Sequence, residues 1–261
     1  MPSNDNNPPV VLVIAGNDPS GGAGLAADIQ TLSQLGCHPA PVVTALTVQD
    51  TRNAYEVRVQ EPALVAAQAR AVLADMDVAA IKLGLLGSAG VARAVAGVLA
   101  GHANIPLVLD PVLVAAGGAR LAEEELAREF FRELLPETTV ATPNADESRA
   151  LAPGAADIAT RAERLLDTGC RYVLIKGGDE DTPDVVNTLF GGDGSVKHYT
   201  WPRLPGSFHG SGCTLASAIA AGLAHGRSAT EAVEQGQDYT WTALNAAWRP
   251  GRGQDVPRRM S

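Results

Sequence analysis

Aromatic residues are scarce in this 261-residue chain, at 4%, while aliphatic side chains and 27 glycines are plentiful. A core of that kind packs through Val, Leu and Ala, with close approach of helices to a sheet. Cysteine is also sparse. Cys37, Cys170 and Cys213 are odd in number and far apart, which argues against a disulfide framework and a zinc site. A reducing compartment, the cytoplasm, is the expectation. Basic charge is in deficit, with 20 Lys and Arg against 29 Asp and Glu and a formal net charge of −9. No basic cluster could compete for a polyanion, so no nucleic-acid partner is expected. No apolar run reaches membrane-spanning length, so no membrane partner is expected either, and the polar opening stretch lacks the parts of a signal peptide. Three common motifs are missing: GxxxxGK followed by Ser or Thr, HExxH, and GxSxG. Their absence excludes a P-loop enzyme and disfavours the commonest zinc-protease and hydrolase chemistries. The segment Gly16–Gly21 does not fit G-x-G-x-x-G, and Pro19 interrupts it, which disfavours a dinucleotide-binding domain.

Alternating apolar strands and amphipathic helices run through the chain. Val10–Ile14 reads as a strand buried on both faces, followed by a Gly-rich turn and a helix over about 23–35, with Gly36 as its stop. Further strands are expected at 41–47, 79–83, 107–109, 140–142 and 172–176, and helices at 62–75, 88–100, 123–134 and 157–168. The segments 185–190 and 196–201 flank Gly191-Gly192-Asp193-Gly194, a hairpin signal. Helices over about 212–225 and 230–247 follow. Repeated strand–helix units imply an α/β fold with a mostly parallel sheet and helices on both faces. One domain is expected over 1–261, with residues 1–9 and 249–261 as loose tails.

Ligands of open α/β sheets bind beyond the carboxyl ends of the strands. The expected strands end in Gly16-Asn17, Lys82, Asp110, Thr142-Pro143-Asn144 and Lys176. Polar loops alone could account for any one of these; together they suggest a polar rim. Asp28 falls among Leu25, Ile29, Leu32 and Leu35 on an apolar helix face. It is either a helix-edge residue reaching solvent or a carboxylate facing the cleft. Gly210-Ser211-Gly212-Cys213-Thr214 opens a helix, where successive N–H groups can hold an anion and the dipole favours a thiolate. The alternative is an ordinary Gly-rich helix start with a buried thiol. Of the five histidines, only His209 lies beside such a segment.

Several separated stretches together resemble the hydroxymethylpyrimidine/phosphomethylpyrimidine kinases of thiamine synthesis, within the ribokinase superfamily. They are Ala15-Gly16-Asn17-Asp18-Pro19-Ser20-Gly21-Gly22-Ala23-Gly24 with Asp28 behind it, Thr44–Thr51, Ile81–Leu86, Asp110-Pro111-Val112-Leu113, Thr142-Pro143-Asn144 with Glu147, Lys176-Gly177-Gly178, and His209–Leu215. The matches keep family order from about residue 10 to residue 225. This resemblance implies a ribokinase-like three-layer αβα sandwich. It also implies ATP and Mg2+, and phosphorylation of an aminopyrimidine alcohol and then of its monophosphate.

The resemblance also implies roles for particular residues. Gly210, Ser211 and Gly212 would hold the transferring phosphate. Cys213 would take the alcohol proton if its pKa were lowered toward neutrality. Gly16, Ala23, Asp28, Gln49, Leu85 and Val112 would line the substrate site, with Gln49 matching an amino group and a ring nitrogen. Lys176, Asn144 and Thr214 would serve the nucleotide, and Asp110 and Glu147 the Mg2+. A homodimer is expected by the same resemblance. Departures from the family pattern include Ala26, Leu85, Leu113, Asp179 in place of a histidine, and the loop Ala115–Arg120, where Arg120 replaces a lysine-bearing lid. The competing readings are a pyridoxal kinase of vitamin B6 salvage and a non-catalytic sensor of a thiamine precursor.

Overall fold

A computed structural model describes residues 7–113 and 124–260, without the side chain of Glu124. The expectations for residues 1–6 and for the loop bearing Arg120 fall outside the described residues.

Alternating burial along the first strand explains why the sheet is covered on both sides. In β1 (Val10–Asn17), Leu12 and Ile14 pack on one face, while Val11, Val13 and Ala15 pack on the other. The same split continues in β4 (Val78–Leu83), with Ile81 and Leu83 on one side and Ala80 on the other. The first face is covered by α2 (Pro62–Asp75), α3 (Ala89–Leu99), α4 (Glu124–Glu129) and α6 (Ile158–Leu166). The second is covered by α1 (Gly24–Gln34), α7 (Ser211–Ala224) and α8 (Ala229–Asn245). This is the expected three-layer αβα arrangement.

The strands β2 (His38–Gln49), β3 (Ala54–Val59), β5 (Leu107–Leu109), β6 (Val140–Ala141), β7 (Tyr172–Ile175), β8 (Asp184–Gly191) and β9 (Val196–Pro202) complete a nine-stranded sheet ordered β3-β2-β1-β4-β5-β6-β7-β8-β9. Strands β2 through β7 in that order are parallel, while β3 at one edge and β8 and β9 at the other are antiparallel. The order reverses between β1 and β4, and a crevice opens at that switch point.

Three local features differ from expectation. The strand expected at 41–47 runs from His38 to Gln49 and pairs with β3, which the sequence pattern did not reveal. The helix expected over 123–134 gives way to a π-helical turn at Phe130–Leu134. A short helix, α5 (Ala145–Leu151), begins at Asn144, where the Asn144 side chain accepts from the Glu147 N–H and the Glu147 carboxylate accepts from the Asn144 N–H.

Residues 249–260 are not a loose tail. Trp248 and Val256 form a β-bridge, as do Phe208 and Asp255, and the Arg258 N–H donates to the Ala243 carbonyl at 2.9 Å. Val256 and Arg259 are buried. Backbone pairing and the long side chain of Arg259 fix a segment whose composition suggested a flexible coil.

Candidate active site

The cleft at the switch point has a volume of about 310 Å³. The parallel strands deliver Gly16 and Asn17 from β1, Lys82 from β4, and Asp110, Asn144 and Lys176 from just beyond β5, β6 and β7. Gly16, Ala23, Gln49, Leu85 and Val112, expected on the substrate side, all border it. So do Gly210, Ser211, Gly212 and Cys213 at the start of α7, and Glu147 from α5.

Two glycines make this assembly possible. Gly24 has φ +54°, and a Cβ there would stand 2.3 Å from the Gly16 carbonyl oxygen. Gly210 has φ +82°, and its Cβ would stand 1.9 Å from the Gly22 carbonyl oxygen. Only glycine permits the two Gly-rich turns to lie against each other and against the cleft. At Gly212 a Cβ would meet Lys176 Nζ at 3.2 Å and Asp110 Oδ2 at 3.5 Å. The helix start therefore presents bare backbone to a charged pair.

Lys176 Nζ donates to Asp110 Oδ1 at 2.9 Å and lies 3.8 Å from Glu147 Oε2. Asp110 Oδ1 also accepts from the Thr142 hydroxyl at 3.0 Å. Burial would raise the Asp110 carboxyl, but Lys176 and Lys82 outweigh it and hold it below its usual value. Glu147 moves the other way. Burial, reinforced by the neighbouring Asp110 charge, pushes it up to about 7 despite Lys176. Two carboxylates and a lysine thus share a largely buried site, whose carboxylate oxygens suit a hard cation.

Asp28 is neither on the solvent edge nor in the cleft. It is fully buried beneath the cleft, where both carboxylate oxygens accept from Lys82 Nζ at 2.9 Å and Oδ1 accepts from the Ser217 hydroxyl at 2.7 Å. Lys82 is itself fully buried. Burial opposes its charge, yet the facing Asp28 carboxylate more than offsets this and keeps the ammonium above its usual pKa. The expected substrate role for Asp28 is corrected on that ground: its lone pairs are committed to a buried ion pair.

Thr214 is corrected likewise. It is fully buried and does not line the cleft; its hydroxyl donates to the Gly210 carbonyl and accepts from Arg259 Nε. The condition set for Cys213 as a base, a pKa lowered toward neutrality, is not met in the unliganded protein. The thiol is half-exposed toward the cleft but densely surrounded, and burial pushes it up to about 11. Lys82 pulls it down, but Asp28 and Asp110 push it further up.

Sequence reasoning marked His209 but missed its pairing across the rim. Asp18 and His209 border the cleft and face each other at 2.8 Å, and Gln49 lies 3.0 Å from the same His209 Nε2. Asp18 also accepts from the backbone N–H groups of Ser20 and Ala23. Burial would raise its carboxyl, but the hydrogen bonds from His209 and Ser20 hold it below its usual value. The DPS turn was a readable signal for Asp18, whereas the pairing to His209 spans 191 residues.

A second cavity of about 350 Å³ adjoins the first across Lys176, Gly178, Ser211 and Gly212. Trp201, Leu215, Gln237 and Trp241 line it, and the two indoles stack with centroids 6.1 Å apart. Of these, only Leu215, the end of the His209–Leu215 stretch, fell in a segment that the sequence singled out for a site.

The family model described as phosphomethylpyrimidine kinase matches residues 18–257. The chain belongs to this family. A relative from Streptomyces coelicolor, named hydroxymethylpyrimidine/phosphomethylpyrimidine kinase, is 42% identical over 94% of this chain and 92% of its own length. The crystal structure of phosphomethylpyrimidine kinase from Clostridium difficile is similar with a TM-score of 0.79 and 31% identity, covering 90% of this chain and 99% of that one. Pyridoxal kinase from Staphylococcus aureus, in complex with AMP-PCP and pyridoxal, has a TM-score of 0.88 and 28% identity, covering 97% of this chain and 93% of that one. Family membership accounts for the shared αβα fold and for kinase activity.

Proposed function

We propose that the protein transfers the γ-phosphoryl group of ATP to the alcohol of 4-amino-5-hydroxymethyl-2-methylpyrimidine, and then phosphorylates the monophosphate to the diphosphate for thiamine synthesis. The observation that carries this reading is the meeting of the Gly210–Cys213 helix start, the Lys176–Asp110–Glu147 cluster and Gln49 around one cleft. Phosphoryl transfer requires positioning and charge stabilisation more than covalent chemistry by the protein. The backbone N–H groups of Gly210 to Cys213 hold the transferring phosphate. Lys176 neutralises its charge. The amide of Gln49 pairs with the amino group and ring nitrogen of the pyrimidine, while Gly16, Ala23, Leu85 and Val112 enclose the ring. The adjoining cavity, with its stacked indoles, takes the nucleotide base.

Asp110 and Glu147 fit Mg2+. Both are buried carboxylates, Asp110 Oδ2 and Glu147 Oε1 face no donor among the described contacts, and Mg2+ keeps several of its waters. The ion, when bound, neutralises charge on the phosphates of ATP. Asn144 contributes by capping α5 and so fixing Glu147. Cys213 accepts the alcohol proton only as the thiolate, so its part in the reaction follows its ionisation.

The protein works as a cytoplasmic homodimer. Leu46 and Val48 of β2 and Tyr55 of β3 leave large apolar side chains exposed at one edge of the sheet, a surface that a second copy would cover. Pyridoxal is the second substrate to weigh, because the backbone also matches pyridoxal kinase with a TM-score of 0.88. Relative kcat/KM on the pyrimidine and on pyridoxal decides between them. Preference for pyridoxal would overturn the pyrimidine reading.

A further inference from the structure

We propose that Arg259 is a positioning residue for phosphoryl transfer: it clamps the Gly-rich turn after β1 to the start of α7 and places a positive charge with no directly paired carboxylate behind the phosphate-binding turn. This rests on the reading of Gly210–Cys213 as the phosphate site.

Arg259 is 2% exposed. Its guanidinium meets neutral oxygens rather than a carboxylate. Nε donates to the Thr214 hydroxyl at 2.9 Å, Nη1 to the Gly21 carbonyl at 3.3 Å and to Gln30 Oε1 at 3.2 Å, and Nη2 to the Gly22 carbonyl. Its own carbonyl accepts from the Tyr239 hydroxyl at 2.6 Å. Among the described residues no carboxylate contacts it, and burial lowers its pKa from the usual arginine value although Cys213 and the more distant Asp28 and Asp18 carboxylates partly oppose this. A buried cation without a counter-charge is costly. Such a group persists where its field is used or where an anion arrives to compensate it.

The phosphate-binding turn lies directly beside this charge. A Cβ on Gly210 would stand 2.8 Å from Arg259 Nη2 as well as 1.9 Å from the Gly22 carbonyl. Gly210 and Gly22 are thus pressed together with the guanidinium across their seam. The two lysines of the cleft are differently placed. Lys82 is neutralised by Asp28, and Lys176 faces Asp110 and Glu147. In a protein of net charge −9, Arg259 differs from both lysines in that its hydrogen-bond partners among the described residues are all neutral oxygens, with Asp28 and Asp18 acting on it only from beyond contact. Its planar fork also satisfies the freed carbonyls of two consecutive glycines, which a lysine could not reach in one geometry.

The test compares Arg259→Gln, Arg259→Lys and Gly212→Ala in steady-state kinetics, with activity expressed per folded site. For Arg259→Gln the expectation is a KM for ATP raised about tenfold and a kcat lowered roughly 10- to 100-fold, with the KM for the pyrimidine unchanged within about twofold. Arg259→Lys, which keeps the charge and loses the fork, falls between Arg259→Gln and the unaltered protein and decides the matter if Arg259→Gln does not fold. A merely structural role would reduce the folded fraction and leave both KM values in place; that outcome overturns the proposal. Gly212→Ala tests the phosphate reading itself. If it leaves turnover intact, that reading fails. If it abolishes turnover while both Arg259 variants keep the KM for ATP, only the role of Arg259 fails.

Discussion

Alkylation of Cys213 is expected to be slow at neutral pH in the unliganded protein. With the thiol pushed up to about 11, roughly one molecule in 10⁴ carries a thiolate at pH 7, against about 3% for an ordinary cysteine. Reduced ionisation alone would slow labelling about 300-fold. A more basic thiolate is intrinsically more nucleophilic, which recovers about tenfold. The net expectation is about 30-fold slower labelling than a free thiol. The rate should climb about tenfold per pH unit between about pH 7 and 10. Iodoacetamide labelling followed by mass spectrometry of the peptide isolates this site, because Cys37 and Cys170 are buried and pushed up to about 11 and 12. If Cys213 serves as the base, kcat should rise with pH in parallel, and Cys213→Asp should remove that rise. Labelling at pH 7 as fast as a free thiol would refute the reasoning, because it would mean that Lys82 and the helix start overcome burial.

Asp28→Ala should lower stability by about 3–5 kcal/mol in urea unfolding, because it strands Lys82 as a buried charge. The paired change Asp28→Leu with Lys82→Met should cost less than Asp28→Ala alone. Lys176→Ala should raise the KM for ATP at least about tenfold and leave the KM for the pyrimidine within about twofold. ADP should quench tryptophan fluorescence through Trp201 and Trp241, which line the second cavity, while the pyrimidine alone should leave it unchanged.

The sandwich and its polar rim were legible because parallel strands buried on both faces read as apolar runs that stop abruptly at Asn17, Asp110 or Lys176. Local caps were also readable: Ser88 and Asp157 cap the helices where the sequence put their starts. What escaped depends on distant partners. β3 does alternate, with Tyr55, Val57 and Val59 against Glu56 and Arg58, but it has no buried face, and the sequence reading passed it over. Asp28 was correctly read as out of place, but its partner Lys82 lies 54 residues away. The burial of Arg259 rests on carbonyls more than 230 residues earlier, and composition alone marks such a segment as loose. The second cavity joins β8 and β9 to α7 and α8 through a few residues of each, ordinary in their own elements. At Asn144 and Glu147 the sequence signal was double: the spacing is that of a helix capping box, and the structure uses it as one while leaving Glu147 beside Lys176.

A phosphoryl-transfer assay with Mg-ATP tests the central claim most directly, offering hydroxymethylpyrimidine, its monophosphate and pyridoxal in parallel. Phosphorylation of both pyrimidines, with the diphosphate as final product, is the predicted result. Turnover of pyridoxal with neither pyrimidine would contradict it.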